Sequence, residues 1–279
     1  MEKANKPWWL HLNLLGLDAP LIAVMWLFLF ARTWRVNYHP WEAYAALGLA
    51  VWTVRIAAKL LSSAMRGDES SYASRHRDQL RKLAVITGVC ALVLTVLNFP
   101  LSVYNYLLVG AVFVLGYFAL SFFSSHDENE ISYARHAFGG LAFAFGTGLS
   151  AHAYLPGLGI TELLMSREFI SFSVLCLLAS SATELWARPT REGGPVANSA
   201  DELALSLPLT LLGAAALVFA VQNDSMTARP FFYGILTGAA LLQVLNRTRS
   251  RFDPTTLKVL TALCLLAPGI IFQTYPMEG

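Results

Sequence analysis

The sequence predicts an all-α, polytopic membrane helical bundle of about nine transmembrane helices, built as a single domain over residues 1–279. Three observations predict it. Of the residues, 56% are hydrophobic and only 14% are charged, whereas a soluble domain carries about 25% charged residues. Apolar runs, several near or above the length needed to cross a bilayer, follow one another with no long polar segment between them. Such runs cross as helices because a helix satisfies its own backbone polar groups in hydrocarbon. Finally, the cationic residues gather on alternate connections, as they do in a chain that weaves through a membrane.

Taken in order, the runs are Leu14–Ala31, Ala43–Ala64, Leu83–Phe99, Tyr104–Phe123, Ala137–Leu155, Phe169–Ala187, Leu203–Val221, Phe231–Asn246 and Leu257–Tyr275. The stretch Lys6–His11, with Trp8 and Trp9, reads as an interfacial lead-in. Glu2, Lys3 and Lys6 precede it and no small-residue cleavage site follows a short apolar core, so no cleavable signal peptide is expected. With the N-terminus placed inside, 14 of the 20 Lys and Arg fall on inner segments, 4 on outer ones, and Arg55 and Lys59 within the second run. The positive-inside rule therefore puts the N-terminus in the cytoplasm and, after nine crossings, the C-terminus outside. A bacterial inner (plasma) membrane is the expected location. The inner connections, Arg66–Lys82, Ser124–His136 and Arg188–Glu202, are the long polar ones, the last broken by Gly193, Gly194 and Pro195. A working surface is expected on that side.

Two places carry charge inside apolar runs. Arg55, Lys59, Ser62 and Arg66 fall on one face of the second run. A charge near the centre of a membrane helix costs at least ~2.5–3.5 kcal/mol, so this face is expected to look into the bundle or a polar cavity. The plainer alternative is snorkelling to the interface, easier for Lys59 than for Arg55, which lies a turn deeper. In the sixth run Ser173, Ser180, Glu184 and Arg188 share a face, and Glu184 lies at a depth matching Lys59. A structural ion pair of Glu184 with Lys59 or Arg188 is one reading, and a site that uses these charges is the other.

Other candidates are weaker. The loop residues His126, Asp127, Glu128, Glu130 and His136 lack any fixed ligand spacing and read as a solvated acidic loop, so no metal site is assigned there. Cys90, Cys176 and Cys264 lie singly in apolar runs and read as small apolar residues. His152 reads as an interface or core histidine. The basic inner loop suits lipid phosphate, and no nucleic-acid partner is expected.

The stretch Gly140-Leu141-Ala142-Phe143-Ala144-Phe145-Gly146, preceded by Tyr133, Arg135 and His136, resembles a loop motif and the helix start that follows it in the UbiA superfamily of intramembrane prenyltransferases. The layout of nine runs, with long inner connections after the second, fourth and sixth, resembles that family along nearly the whole chain. The resemblance implies a helical bundle that takes an isoprenoid diphosphate at its cytoplasmic end. Arg55, Lys59, Arg135, His136 and Arg188 are then the candidate headgroup ligands, with Glu184 as the intramembrane acid. The chain departs from the family at its metal. The resemblance implies carboxylates at the ends of the second and sixth runs that hold Mg²⁺ on the diphosphate. Here the second run reads Arg55-Ile56-Ala57-Ala58-Lys59-Leu60-Leu61-Ser62-Ser63, with no acid before Asp68, and the sixth offers only Glu184. A hard dication wants several oxygen ligands, so magnesium is expected only if the chain is catalytically active.

Three functions follow. The leading one is a degenerate, non-catalytic or accessory UbiA-like protein that binds an isoprenoid-type or anionic lipid, alone or as a subunit of a membrane complex. The second is an active prenyltransferase to a lipid or aromatic acceptor. The third is a transporter, which the intramembrane charges permit but the lack of an evident repeat disfavours.

Overall fold

The computed structural model describes residues 15–36, 40–66, 72–101, 103–123, 131–155, 157, 159–187, 194–222 and 228–274. Among these residues the regular structure is helical throughout. The elements are α1 (Asp18–Thr33), α2 (Trp41–Arg66), α3 (Tyr72–Arg75), α4 (Arg77–Asn98), α5 (Val103–Phe123), α6 (Ile131–His152), α7 (Ile160–Met165), α8 (Arg167–Ala187), α9 (Gly194–Gln222), α10 (Arg229–Thr248) and α11 (Pro254–Thr274). The described part of each predicted apolar run overlaps one of the long helices.

Five helical stretches among the described residues are long and apolar enough to cross a membrane: Trp41–Ala64, Arg77–Asn98, Arg167–Trp186, Leu203–Gln222 and Pro254–Gln273. Tyr106–Phe122 is a shorter apolar stretch. Large apolar side chains also face outward in helical rows, Val85, Val89 and Val93 on α4 and Leu203, Leu207 and Leu211 on α9. An all-helical bundle that is apolar outside as well as inside is an integral membrane protein.

The core sits where α1, α8 and α10 meet. Trp26 and Phe30 of α1 pack on Phe172 of α8 and Phe231 of α10, with ring centroids 4.4–5.5 Å apart. α10 is buried along the row Phe231, Ile235, Gly238, Leu242 and Leu245, the spacing of one helical face. α1 also packs on α2, α6 and α11, so the first and last of the described helices are neighbours. At the edge, α4 packs along α2 and makes no comparable contact with another long helix.

The inner connections are shorter than the sequence predicts. α2 runs on to Arg66, α4 begins at Arg77, α6 at Ile131 and α9 at Gly194. Polar residues there form the projecting turns of helices. Pro195 does not break the chain as expected: it lies in the first turn of α9, where its missing N–H is no loss. Arg77, Arg81, Lys82, Arg135 and His136 are therefore helical residues rather than loop residues.

The start of α11 shows how these ends are fixed. The Asp253 carboxylate accepts the backbone N–H groups of Thr255 at 3.0 Å and Thr256 at 3.1 Å, and the Thr256 hydroxyl as well. Pro254 follows it as the first helical residue. The Thr256 hydroxyl, and then the backbone donors, hold the Asp253 carboxyl below the usual carboxylate range. A depressed folded value means stability that is present above the unfolded value and lost as pH falls through the folded one. Asp253→Ala is expected to lower the thermal midpoint equally from about pH 8 to pH 5, with the gap to wild type closing below about pH 4. A gap that persists unchanged into acid would mean that the cap does not depend on the charge.

Candidate functional site

Alternation of the helices brings the starts of α1, α6 and α11 and the ends of α2, α8 and α10 to one basic end of the bundle. The candidate residues lie there in two separate clusters.

The first cluster is built on α2. Arg55 meets Asp18 of α1, Nη2 to Oδ2 at 3.6 Å. That is longer than a charge-assisted hydrogen bond of about 2.7–2.9 Å, so the contact is Coulombic. Lys59, a turn away, feels the charges of Arg55, Asp18 and Lys258 of α11. Gly16 lies over both side chains. Its φ is +72°, and a Cβ there would fall 3.0 Å from Cγ of Arg55 and 3.4 Å from Nζ of Lys59. Only glycine combines that backbone with that approach at no cost. Trp52 of α2 fastens the same segment by donating its indole N–H to the Leu15 carbonyl at 3.0 Å. The segment entering α1 thus lies across the polar face of α2 at Arg55 and Lys59. Arg55 still keeps 42% of its side chain exposed.

The sequence reading missed Asp18. A carboxylate one turn inside the first apolar run, at the depth of the basic pair, was the available signal. Breaking a buried ion pair costs about 3–5 kcal/mol, but exposed pairs are worth about 0.2–1 kcal/mol. With Arg55 half-exposed, Asp18→Asn is expected to destabilise by about 1 kcal/mol. The check is a double-mutant cycle with Arg55→Gln, in which the cost of Asp18→Asn should nearly vanish. Equal costs in both backgrounds would show that the two charges are uncoupled.

The second cluster joins α6 to α8. Glu184 Oε2 lies 3.7 Å from Arg135 Nη2 and 3.4 Å from His136 Nε2. Arg135 Nη2 lies 3.2 Å from His136 Nε2. Arginine can only donate, so in that contact His136 Nε2 is the acceptor and Arg135 is the cation that faces Glu184. Of the two pairings expected for Glu184, the one with Lys59 is not formed: Glu184 meets Arg135 beside His136, and Lys59 feels the carboxylate of Asp18 instead. Arg188, Arg191 and the residues His126, Asp127, Glu128 and Glu130 lie outside the described residues, as does the side chain of Tyr133.

Gly140 sets this register. A Cβ on it would stand 3.0 Å from N and Cα of Leu177 and 3.2 Å from the carbonyl carbon of Cys176, all backbone atoms. α6 and α8 touch there, and the antiparallel run of the two helices then delivers Arg135 and His136 to Glu184.

A third polar group escaped the sequence reading because each member is a lone polar atom in an apolar run. Trp186 of α8 donates its N–H to Asn246 Oδ1 of α10 at 3.0 Å, and Asn246 Nδ2 donates to Ser206 Oγ of α9 at 3.3 Å. It ties three helices near the basic end. His152 is buried at the other end, edge-on to Trp34, as a core histidine.

These residues do not fit a magnesium diphosphate site. Asp18 and Glu184 each face cations on neighbouring helices. Among the described residues no group of three His, Cys, Asp or Glu converges. No step is therefore routed through a metal. Compared with known proteins, the chain matches no family model, no curated protein and no solved structure.

Proposed function

We propose that this chain is a UbiA-like membrane protein with nine crossings, its N-terminus cytoplasmic and its C-terminus outside, that binds an isoprenoid-type or anionic lipid without transferring it. The observation that carries this reading is how the deep charges are satisfied. Asp18 meets Arg55, and Lys59 feels the charges of Asp18, Arg55 and Lys258, so among these described residues the first cluster holds more cations than carboxylates and is electropositive towards a headgroup. The acids that a metal-dependent transferase would need are committed to cations instead. The motif glycine Gly140 has a packing role that needs no substrate. Arg55, Lys59, Arg135 and His136 remain the headgroup candidates of this reading, with Glu184 as the acid that holds the second pair.

The test is mass spectrometry of lipids carried by gently purified protein, wild type against Arg55→Ala/Lys59→Ala, beside an assay of prenyl transfer with and without Mg²⁺. A prenyl-phosphate lipid enriched in wild type and lost in the variant, with no transfer, is expected. Magnesium-dependent transfer would replace this reading with the enzyme. Bulk phospholipid alone in both proteins would leave a structural membrane subunit.

A further inference from the structure

The outer side of the α2–α4 pair carries a groove that the candidate residues above do not use. Helices α2 and α4 are pinned at mid-depth by the Thr53 and Thr87 hydroxyls, 2.8 Å apart, where Gly88 lets the backbones close in. One to three turns towards the basic end, a groove of about 600 Å³ opens between them. Its α2 wall is Ala57, Leu60, Leu61 and Ala64. Its α4 wall is Arg77, Asp78 and Arg81, and a shallow hollow of about 510 Å³ on α4 alone continues over Arg81 and Lys82 to Val85 and Ile86. Small and apolar residues thus face basic heads across a gap of ligand size.

These cations differ from those of the two clusters. Arg77, Arg81 and Lys82 are exposed, and no ion pair joins them to a described residue. Among the described residues, three cations against Asp78 leave the groove net positive. Beyond it, Val85, Ile86 and Val89 continue down the exposed face of α4 at 56–60% exposure. A cationic ledge one turn above an uncovered apolar track, on a helix that packs on only one long neighbour, has the polarity of one lipid molecule: phosphate above, acyl chain below.

We infer that this groove is a lateral binding site for an anionic bilayer phospholipid, with Arg77 and Arg81 on its phosphate and its chain along Val85 and Val89. Asp78 then accepts hydrogen bonds from headgroup hydroxyls, which favours a glycerol headgroup over a bare phosphate monoester. The inference needs only that α2 and α4 cross the bilayer. It does not depend on an isoprenoid being bound at Arg55 and Lys59, and the two readings fail separately.

The experiment uses the full chain in nanodiscs of mixed phosphatidylglycerol and phosphatidylcholine, with lipids retained on gentle release counted by native mass spectrometry. Wild type is expected to retain phosphatidylglycerol preferentially. Arg77→Gln/Arg81→Gln should lower that preference roughly ten-fold, since each basic side chain near an anionic surface contributes separately. Arg247→Gln/Arg251→Gln removes the same charge from the same end, away from the groove, and should leave the preference in place. Ala64→Trp keeps every charge and fills the groove, and it should lower retention too, which covers the case in which the arginine variant fails to fold. Equal losses in the two arginine pairs, or full retention in Ala64→Trp, would overturn the site and leave only diffuse attraction. Retention unchanged by the groove variants but lost in Arg55→Ala/Lys59→Ala would move the lipid to the α2 cluster.

Discussion

Replacing Trp26 with alanine is expected to destabilise the bundle by about 3–5 kcal/mol, the range for large aromatic residues emptied from a packed core. Trp26 is fully buried. Its ring lies 4.4 Å from that of Phe172 and 5.5 Å from that of Phe231, so it holds α1 to α8 and α10 together. Its N–H donates to the carbonyl of Leu265 at 2.9 Å and so holds α11 as well. That carbonyl lies in the turn before Pro268, where the proline already removes one helix bond. In lipid the packing itself supplies much of helix association, so an emptied site has no compensating solvent gain. Trp26→Phe separates the two parts: it keeps most of the ring and drops the hydrogen bond, at a cost of about 1 kcal/mol. Unfolding in mixed micelles reads both. If Trp26→Ala shifted the midpoint by less than about 0.5 kcal/mol, the placement of the core would be wrong.

Gly140→Val is the second large effect, expected at about 1–3 kcal/mol or more, with separation of α6 from α8. The obstacle is backbone of Leu177 and Cys176, which no rotamer change can move aside. Gly146 ends the same sequence motif but has nothing nearer to its added Cβ than Leu47 Cδ1 at 3.9 Å. Gly146→Ala should therefore be neutral, or stabilising by up to ~1 kcal/mol through helix propensity. Opposite signs at two glycines of one motif would assign its first position to helix packing. A second readout is the α6–α8 ion cluster: Gly140→Val should weaken the coupling between Arg135 and Glu184 in a mutant cycle, and Gly146→Ala should not. If both substitutions proved equally harmful, the close approach at Gly140 would not be what the motif protects.

The helices were legible because apolar length is a local property: the described part of each predicted run overlaps a long helix, from Asp18–Thr33 for the first to Pro254–Thr274 for the last. That Glu184 needed a cationic partner was also legible, since a lone carboxylate in an apolar run demands one. Which partner it took was not. Neighbours in a bundle are set by close approaches such as Gly140 on Leu177, and one sequence does not record adjacency. Equal depth suggested Lys59, but depth says nothing about direction around the helix axis. Asp18, one turn inside the first run, was given no role, although its charge is what Arg55 meets. The loop boundaries failed for a different reason: polar residues such as Arg77 and Arg135 read as loop in a hydropathy scan, while the backbone continues as helix beyond the apolar part.

The adjacency of α1 and α11 has a consequence in time. Trp26 and the carbonyl it binds are 239 residues apart in the chain. At roughly 5–20 residues per second, a ribosome takes on the order of 12–48 s to travel between them. Throughout that interval the aromatic face of α1 lies against lipid or a holding factor, with its indole N–H waiting for an acceptor not yet made. Among the described helices, α1 is made early and reaches its contact with α11 late. A chain stalled between Thr248 and Leu265 would hold α1, α8 and α10 complete but lack the wall that α11 supplies.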